Sequence, residues 1–214
     1  MKSTLSVLLL LVFLTLSGGT ALAEELDTPP LYDPSNPPPA AVAPEPEPEP
    51  VAPAPVENPM LSAQRKAIAD LFSRMNRKLG REKAERFADH VLEAGKVFGV
   101  DPLVVASILV RESRANPQAK AQSNIGLMQV NWKAHARSLP KAFPSIKTVT
   151  DLFDPRNNIL AGAWIFSCYH KSSGGDLAKS LKKYVGGGSG YVEKVLSAYR
   201  TLKEDLKALA PGNP

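Results

Sequence analysis

The chain has 214 residues, a formal net charge of +5 and a single cysteine, which excludes an internal disulfide framework. The charge is divided: residues 24–59 hold eight acidic residues and no lysine or arginine, whereas residues 60–214 hold 25 basic against 13 acidic residues. The roughly 155 residues of the basic part suffice for one compact domain, and their charge suits an anionic polymer or lipid headgroups.

Residues 1–23 predict a secretory signal peptide. Lys2 precedes an apolar run from Leu5 to Leu16, and the small residues that end at Ala23 fit the A-x-A cleavage pattern. The run is shorter than the roughly 20 residues of a membrane span, and a retained membrane anchor is the alternative. Cleavage predicts a periplasmic or exported domain, and this compartment favours cell-wall material over nucleic acid, which would fit the charge equally well.

Residues 24–59 predict a disordered linker, called here the acidic linker. Its centre alternates glutamate and proline from Glu45 to Pro50, a pattern that favours extended polyproline II helix over a packed core. Two interpretations stay open. The acidic linker is either a tether that holds the domain away from a membrane or partner, or a plain disordered leader.

From Met60 onward, apolar residues recur with helical spacing and predict one all-α domain over residues 60–214. Ser62 is predicted to cap the first helix, whose apolar face extends to Leu79. A second helix spans residues 82–98 and ends at Gly99. Further helices are predicted over residues 129–135, 157–169, 177–184 and 191–209, and no strand pair is expected.

The third predicted helix carries an acidic residue on an apolar face. Asp101 and Pro102 supply a cap and a first-turn proline, so the helix runs to about Ser113. Glu112 shares a face with Val105, Ile108 and Leu109. Burial and the helix dipole both raise the pKa of such a carboxyl, as a general acid requires. A surface glutamate between two arginines is the alternative that helical spacing leaves open.

Four motifs in chain order give this acid a context: they are Glu112-Ser113, Gly126-Leu127-Met128-Gln129, Asn158-Ile159 with Gly162, and Tyr184. Together they resemble the lytic transglycosylases of the goose-lysozyme-like SLT family over about residues 95–200. The resemblance implies a lysozyme-like helical domain. The run from Gly190 to Val195 resembles the branch associated with secretion and conjugation machines. Val185 departs from the family, which often has asparagine after the late tyrosine.

The resemblance implies a role for each motif residue. Glu112 is the catalytic acid and base, and Ser113 orients the carboxylate or the substrate. Gly126 lets the backbone approach the sugar, since glycine lacks a Cβ atom. The residues expected to line the sugar groove are Met128, Gln129 and Tyr184, with Asn158 and Tyr191 as further candidates. Packing alternatives stay open: Met128 as core filler, Tyr184 as a helix-face aromatic and Asn158 as a helix cap.

The implied reaction is non-hydrolytic cleavage of the MurNAc–GlcNAc bond of peptidoglycan, which gives 1,6-anhydroMurNAc ends. One carboxylate suffices because the substrate supplies the nucleophile, whereas ordinary glycosidases pair two carboxylates. One alternative is a lysozyme-type hydrolase that uses Asp151 or Asp154 to activate water. The other is a non-catalytic wall-binding or secretion-assembly module.

The sequence predicts no metal site, because His90, His135 and His170 are scattered and none has HExxH spacing. No cofactor is expected. The expected partners are peptidoglycan glycan strands, with an envelope or secretion-machine protein as a further partner of the acidic linker. The domain is expected to be a monomer.

Overall fold

The structure, a computed structural model, describes residues 58–187 and 189–209, so the predicted signal peptide and nearly all of the acidic linker lie outside it. Helices dominate, which confirms the all-α prediction. The elements are α1 Pro59–Met75, α2 Arg81–Phe98, α3 Pro102–Ser113, β1 Lys120–Ala121, β2 Asn124–Ile125, β3 Val130–Asn131, α4 Trp132–His135, α5 Leu139–Ala142, a 3₁₀ helix Val149–Phe153, α6 Pro155–Ser172, α7 Leu177–Val185 and α8 Ser189–Leu209.

Helix α1 begins earlier than predicted. The Asn58 side chain, not Ser62, caps it by accepting the Met60 N–H at 3.0 Å, and Pro59 occupies the first turn, where its missing N–H costs nothing. The helix therefore starts one residue before the predicted domain boundary and ends at Met75. Leu79 is buried as expected, but it lies in the turn that follows rather than on the helix.

Helix α3 is the centre of the core. The Asp101 carboxylate accepts the Leu103 N–H at 2.8 Å and Pro102 opens the helix, as predicted. Every residue from Leu103 to Val110 is buried, because α1, α2 and α8 all pack against this helix. Arg114 then adopts a left-handed conformation and ends it. The last turn, with Glu112, therefore emerges from the core at one end of a fixed helix.

The expectation of no strand pair is wrong. Three two-residue strands form an antiparallel sheet in the order β1-β2-β3, with Asn124 opposite Asn131. Two residues per strand are too few to show the alternation that reveals a strand in sequence. Because Val130 and Asn131 pair in this sheet, helix α4 is shorter than the predicted residues 129–135.

Helices α6 to α8 complete the core around the end of α3. The Asp154 side chain caps α6 by accepting the Asn157 N–H at 2.8 Å, so α6 starts two residues before the predicted position. Gly186 ends α7 at a φ of 74°. Among residues 58–187 and 189–209, no helix combines the length and the apolar character that a membrane crossing needs.

Candidate active site

A pocket of about 390 Å³ lies where the end of α3 meets the small sheet, α6 and α7. Among the described residues, Glu112 is the only one with a carboxylate that lines this pocket. The other lining residues are Asn124, Gln129, Val130, Asn131, Ala134, His135, Ile165, Tyr169, Lys183, Tyr184, Val185 and Gly186. Three of the four sequence motifs therefore contribute a residue to this cavity, namely Glu112, Gln129 and Tyr184, whereas the Asn158-Ile159 motif with Gly162 contributes none.

The Glu112 side chain is half-buried and holds a defined hydrogen bond. The Tyr191 hydroxyl donates to Glu112 Oε1 at 2.6 Å. Burial raises the pKa of the Glu112 carboxyl, while the Tyr191 hydrogen bond and the Arg111 charge act in the opposite direction. The net upward direction agrees with the expectation from the apolar helix face. A raised pKa is the property that a general acid requires.

Tyr191 lies at the start of α8 and is itself held in place. The Arg111 guanidinium stands 5.7 Å from the centre of its ring, a cation–π contact between the last turn of α3 and α8. Burial and the nearby Glu112 charge raise the pKa of the Tyr191 hydroxyl. The hydroxyl therefore stays protonated and acts as a donor to Glu112.

Gln129 and Tyr184 line the pocket, as the resemblance implies. Gln129 has a φ of 49°, and its side-chain Nε2 donates to the Gly126 carbonyl at 2.9 Å. The Tyr184 hydroxyl donates to the Met128 carbonyl at 3.0 Å, and its ring meets Phe166 edge-on. Burial raises the pKa of the Tyr184 hydroxyl well above its ordinary value. Both side chains are fixed by the backbone of the Gly126–Gln129 segment.

The Met128 side chain does not line the groove. It has no exposed surface and packs against Gly162 of α6, where an added Cβ atom would lie 2.6 Å from Met128 Cβ. The glycine creates the slot that the flexible thioether side chain fills. The packing alternative for Met128 therefore describes the side chain, while its backbone carbonyl serves the pocket by holding Tyr184.

Asn158 and Gly126 form a buried structural contact. Asn158 Nδ2 donates to the Ile125 and Leu152 carbonyls, each at 2.8 Å, and Oδ1 accepts the Met128 N–H at 2.7 Å. Asn158 is therefore not a helix cap, a role that Asp154 fills. A Cβ atom on Gly126 would lie 2.3 Å from Asn158 Nδ2. Gly126 accordingly makes room for this amide, and the close approach of a sugar to its backbone stays a prediction.

Ser113 faces away from the pocket. Its hydroxyl donates to the Leu109 carbonyl at 3.3 Å, a local bond that serine often makes to the preceding helical turn. Because successive residues point about 100° apart around a helix, Ser113 lines a different cavity from Glu112. The structure gives no support to an orienting contact between Ser113 and the carboxylate.

Several pocket residues were not foreseen. Asn124 and Asn131 are brought together by strand pairing, and Tyr169 and Lys183 come from α6 and α7. Burial lowers the pKa of His135 to about 4, so its imidazole is neutral at physiological pH. Strand pairing and helix packing bring these residues together from separate segments, so no local sequence pattern marked them.

The two acids of the hydrolase alternative have other partners. Asp151 accepts the N–H groups of Thr148 and Lys147 at 2.8 and 2.9 Å, and these bonds lower its pKa. Asp154 caps α6, and neither acid lines the pocket with Glu112. Nowhere in the described ranges do three His, Cys, Asp or Glu side chains group so as to hold a metal ion.

A helical domain with an acid of raised pKa in a pocket is typical of the lysozyme-like class of glycan-cleaving domains. Residues 89–207, more than half of the chain, match the Transglycosylase SLT domain, and the chain belongs to this family. The resemblance inferred from the motifs is thus confirmed. The family supports an enzyme of the lytic transglycosylase type that acts on peptidoglycan, and SLT domain proteins work in the periplasm or outside the cell.

Proposed function

We propose that this protein cleaves the MurNAc–GlcNAc β-1,4 bond of peptidoglycan without water and leaves 1,6-anhydroMurNAc ends, with Glu112 as acid and then as base. One observation carries the proposal. Among the described residues, Glu112 supplies the only carboxylate that lines the pocket, and burial raises its pKa. A reaction with one carboxylate needs a nucleophile from the substrate, which the MurNAc C6 hydroxyl provides.

The two proton transfers use the same side chain. Protonated Glu112 donates its proton to the glycosidic oxygen as the C1–O bond breaks and positive charge develops at C1. The carboxylate then accepts the proton of the C6 hydroxyl while O6 bonds to C1, which closes the anhydro ring and regenerates the protonated acid. Since Tyr191 occupies Oε1, Oε2 is the oxygen left to exchange protons with the substrate.

The pocket walls supply the binding groups for the sugar. Gln129 and Tyr184 are anchored to the backbone between Gly126 and Gln129, so they present fixed polar and aromatic surfaces beside Glu112. Such positioning lowers the entropic part of the barrier for ring closure. The neutral imidazole of His135 and the side chain of Lys183 add polar groups on the other walls.

The hydrolase alternative predicts different products and is tested by them. Purified sacculi are digested with the protein, and the released muropeptides are analysed by mass spectrometry without prior reduction. We expect products 18 Da lighter than hydrolytic ones, because ring closure replaces the addition of one water molecule. Reducing ends in place of anhydro ends would overturn the proposal in favour of hydrolysis. Absence of any release would favour a non-catalytic wall-binding or secretion-assembly module.

The hydrogen bond from Tyr191 predicts a shift in the pH profile. This bond lowers the pKa of Glu112 because it stabilises the ionised form. If the protonated carboxyl starts the reaction, kcat/KM falls as pH rises through that pKa. In the Tyr191→Phe variant the pKa rises further, and we expect this alkaline limb to move to higher pH. A limb that stays in place or moves to lower pH would contradict the assignment of Glu112 as the acid.

A further inference from the structure

A second cavity, of about 460 Å³, lies on the other side of the last turn of α3 from the pocket. We call it the basic cleft. Its lining residues are Met75, Asn76, Lys78, Leu79, Lys83, Ser113, Arg114, Asn116 and Pro117. Ser113 lines the basic cleft and its neighbour Glu112 lines the pocket. A polymer bound across the end of α3 would therefore reach both cavities.

The basic cleft concentrates positive charge, and no acidic residue lines it. Lys78, Lys83 and Arg114 line it together, and all three are exposed. In the part of the chain that the structure describes, none of the three forms an ion pair. The nearby acids Asp70 and Glu85 are already held by basic residues on α1 and α2.

Helix stability accounts for only part of this charge. Lys78 and Arg114 follow the C-terminal ends of α1 and α3, where the helix dipole favours a cation. Lys83, in contrast, lies in the first turn of α2, where the dipole disfavours one. A positive charge held against the local dipole and beside two others points to an anionic ligand.

The walls of the basic cleft are fixed. Asn76 Nδ2 donates to the Ala115 carbonyl at 3.0 Å, and Asn76 Oδ1 accepts the Lys78 N–H at 3.1 Å. Arg114 and Ala115 both adopt positive φ values, 53° and 58°, which are uncommon for residues with a Cβ atom. This turn ends α3 and directs the chain along the basic cleft. Strained backbone of this kind is often retained where a ligand binds.

We propose that the basic cleft binds carboxylates of the peptide stems on peptidoglycan, next to the sugar held in the pocket. The inference rests on the proposed function and names the part of the substrate that this second cavity recognises. The amino sugars of the glycan are N-acetylated and the stem is amide-linked to MurNAc, so the carboxylates of the polymer belong to the stems. Lysine and arginine bind such groups by charge-assisted hydrogen bonds.

The test uses the Lys78→Gln, Lys83→Gln double variant of the full chain and two forms of one substrate. The first form is soluble uncrosslinked peptidoglycan strands, and the second is the same strands with carboxylates converted to amides by a carbodiimide and ammonia. We expect the variant to raise KM for the first form about three- to tenfold, as for the loss of two exposed charge pairs. On the amidated strands, variant and parent should have equal KM values, and kcat should be unchanged on both.

The matched control is the Lys96→Gln, Lys171→Gln double variant, which removes two exposed lysines outside both cavities and should keep the parent KM. If amidation of the strands changed KM by the same factor for the parent and for the cleft variant, the inference would be overturned. A rise in kcat/KM of the cleft variant on both substrates would also overturn it, because the acidic linker would then be the occupant. The products separate the two proposals. If anhydro products form but the cleft variant keeps the parent KM, only the inference about the basic cleft is contradicted. If no anhydro products form, the proposed function is contradicted.

Discussion

Glu112→Gln is expected to reduce the release of anhydro-muropeptides about 10³-fold or more, since a single positioned proton transfer contributes about 10²- to 10⁴-fold and the proposed mechanism assigns two to Glu112. The glutamine keeps the size of the side chain and an oxygen that accepts the Tyr191 hydroxyl. It supplies neither the acidic proton nor the carboxylate base. Initial rates on purified sacculi, measured with parent and variant at equal concentration, give the ratio.

The stability of this variant separates lost chemistry from lost folding. Burial raises the pKa of Glu112 in the folded state, so the folded state favours the protonated carboxyl. The resulting stabilisation is complete below the unfolded-state pKa and is lost as pH rises through the folded-state pKa. Ionisation of Glu112 above its folded-state pKa therefore opposes folding, and under those conditions the neutral glutamine should leave Tm equal or higher. A lower Tm would indicate that inactivity reflects unfolding.

A matched control for the charge is Glu193→Gln. Glu193 is exposed on α8, two residues after Tyr191, so the substitution removes a negative charge near the site without touching the pocket. We expect parental activity from this variant. If Glu112→Gln retained activity within tenfold of Glu193→Gln, the proton transfers would have to be assigned to another group.

The position of Glu112 could be predicted because its determinants are local. Asp101 and Pro102 mark the start of α3, Gly99 marks the end of α2, and helical spacing then places Glu112 one turn beyond Ile108. Each of these signals acts within a few residues. The same reasoning placed Tyr184 on α7, although Val185, which replaces the expected asparagine, continues that helix to the pocket rim.

The contacts that define the site could not be predicted, because they join distant segments. The Tyr191 hydrogen bond to Glu112 spans 79 positions in the chain. Ser113 adjoins Glu112 in sequence but faces the basic cleft. Gly126 illustrates the limit most clearly: a glycine signals that something lies close, but only the fold shows that its missing Cβ atom leaves room for Asn158.

Asn158→Ala is expected to lower the free energy of unfolding by about 3–5 kcal/mol, at the high end for single substitutions. The side chain is 1% exposed, and it satisfies the Ile125 and Leu152 carbonyls and the Met128 N–H. Each buried polar group left without a partner costs about 1–3 kcal/mol. Urea denaturation followed by circular dichroism, with the slope m compared between proteins, measures the loss.

Two companion variants identify the cause of that loss. Asn157→Ala removes an adjacent amide whose partners, Ser145 and the Asp151 carbonyl, lie nearer to solvent, so water replaces them and the cost should stay below about 1 kcal/mol. Asn158→Asp keeps the side-chain volume and the acceptor for the Met128 N–H but donates nothing when ionised to the two carbonyls. If the hydrogen bonds of Asn158 contribute more to stability than its side-chain volume, Asn158→Asp should lower the free energy of unfolding as much as Asn158→Ala. Near-parental stability of Asn158→Asp would instead assign the loss to the cavity left by alanine.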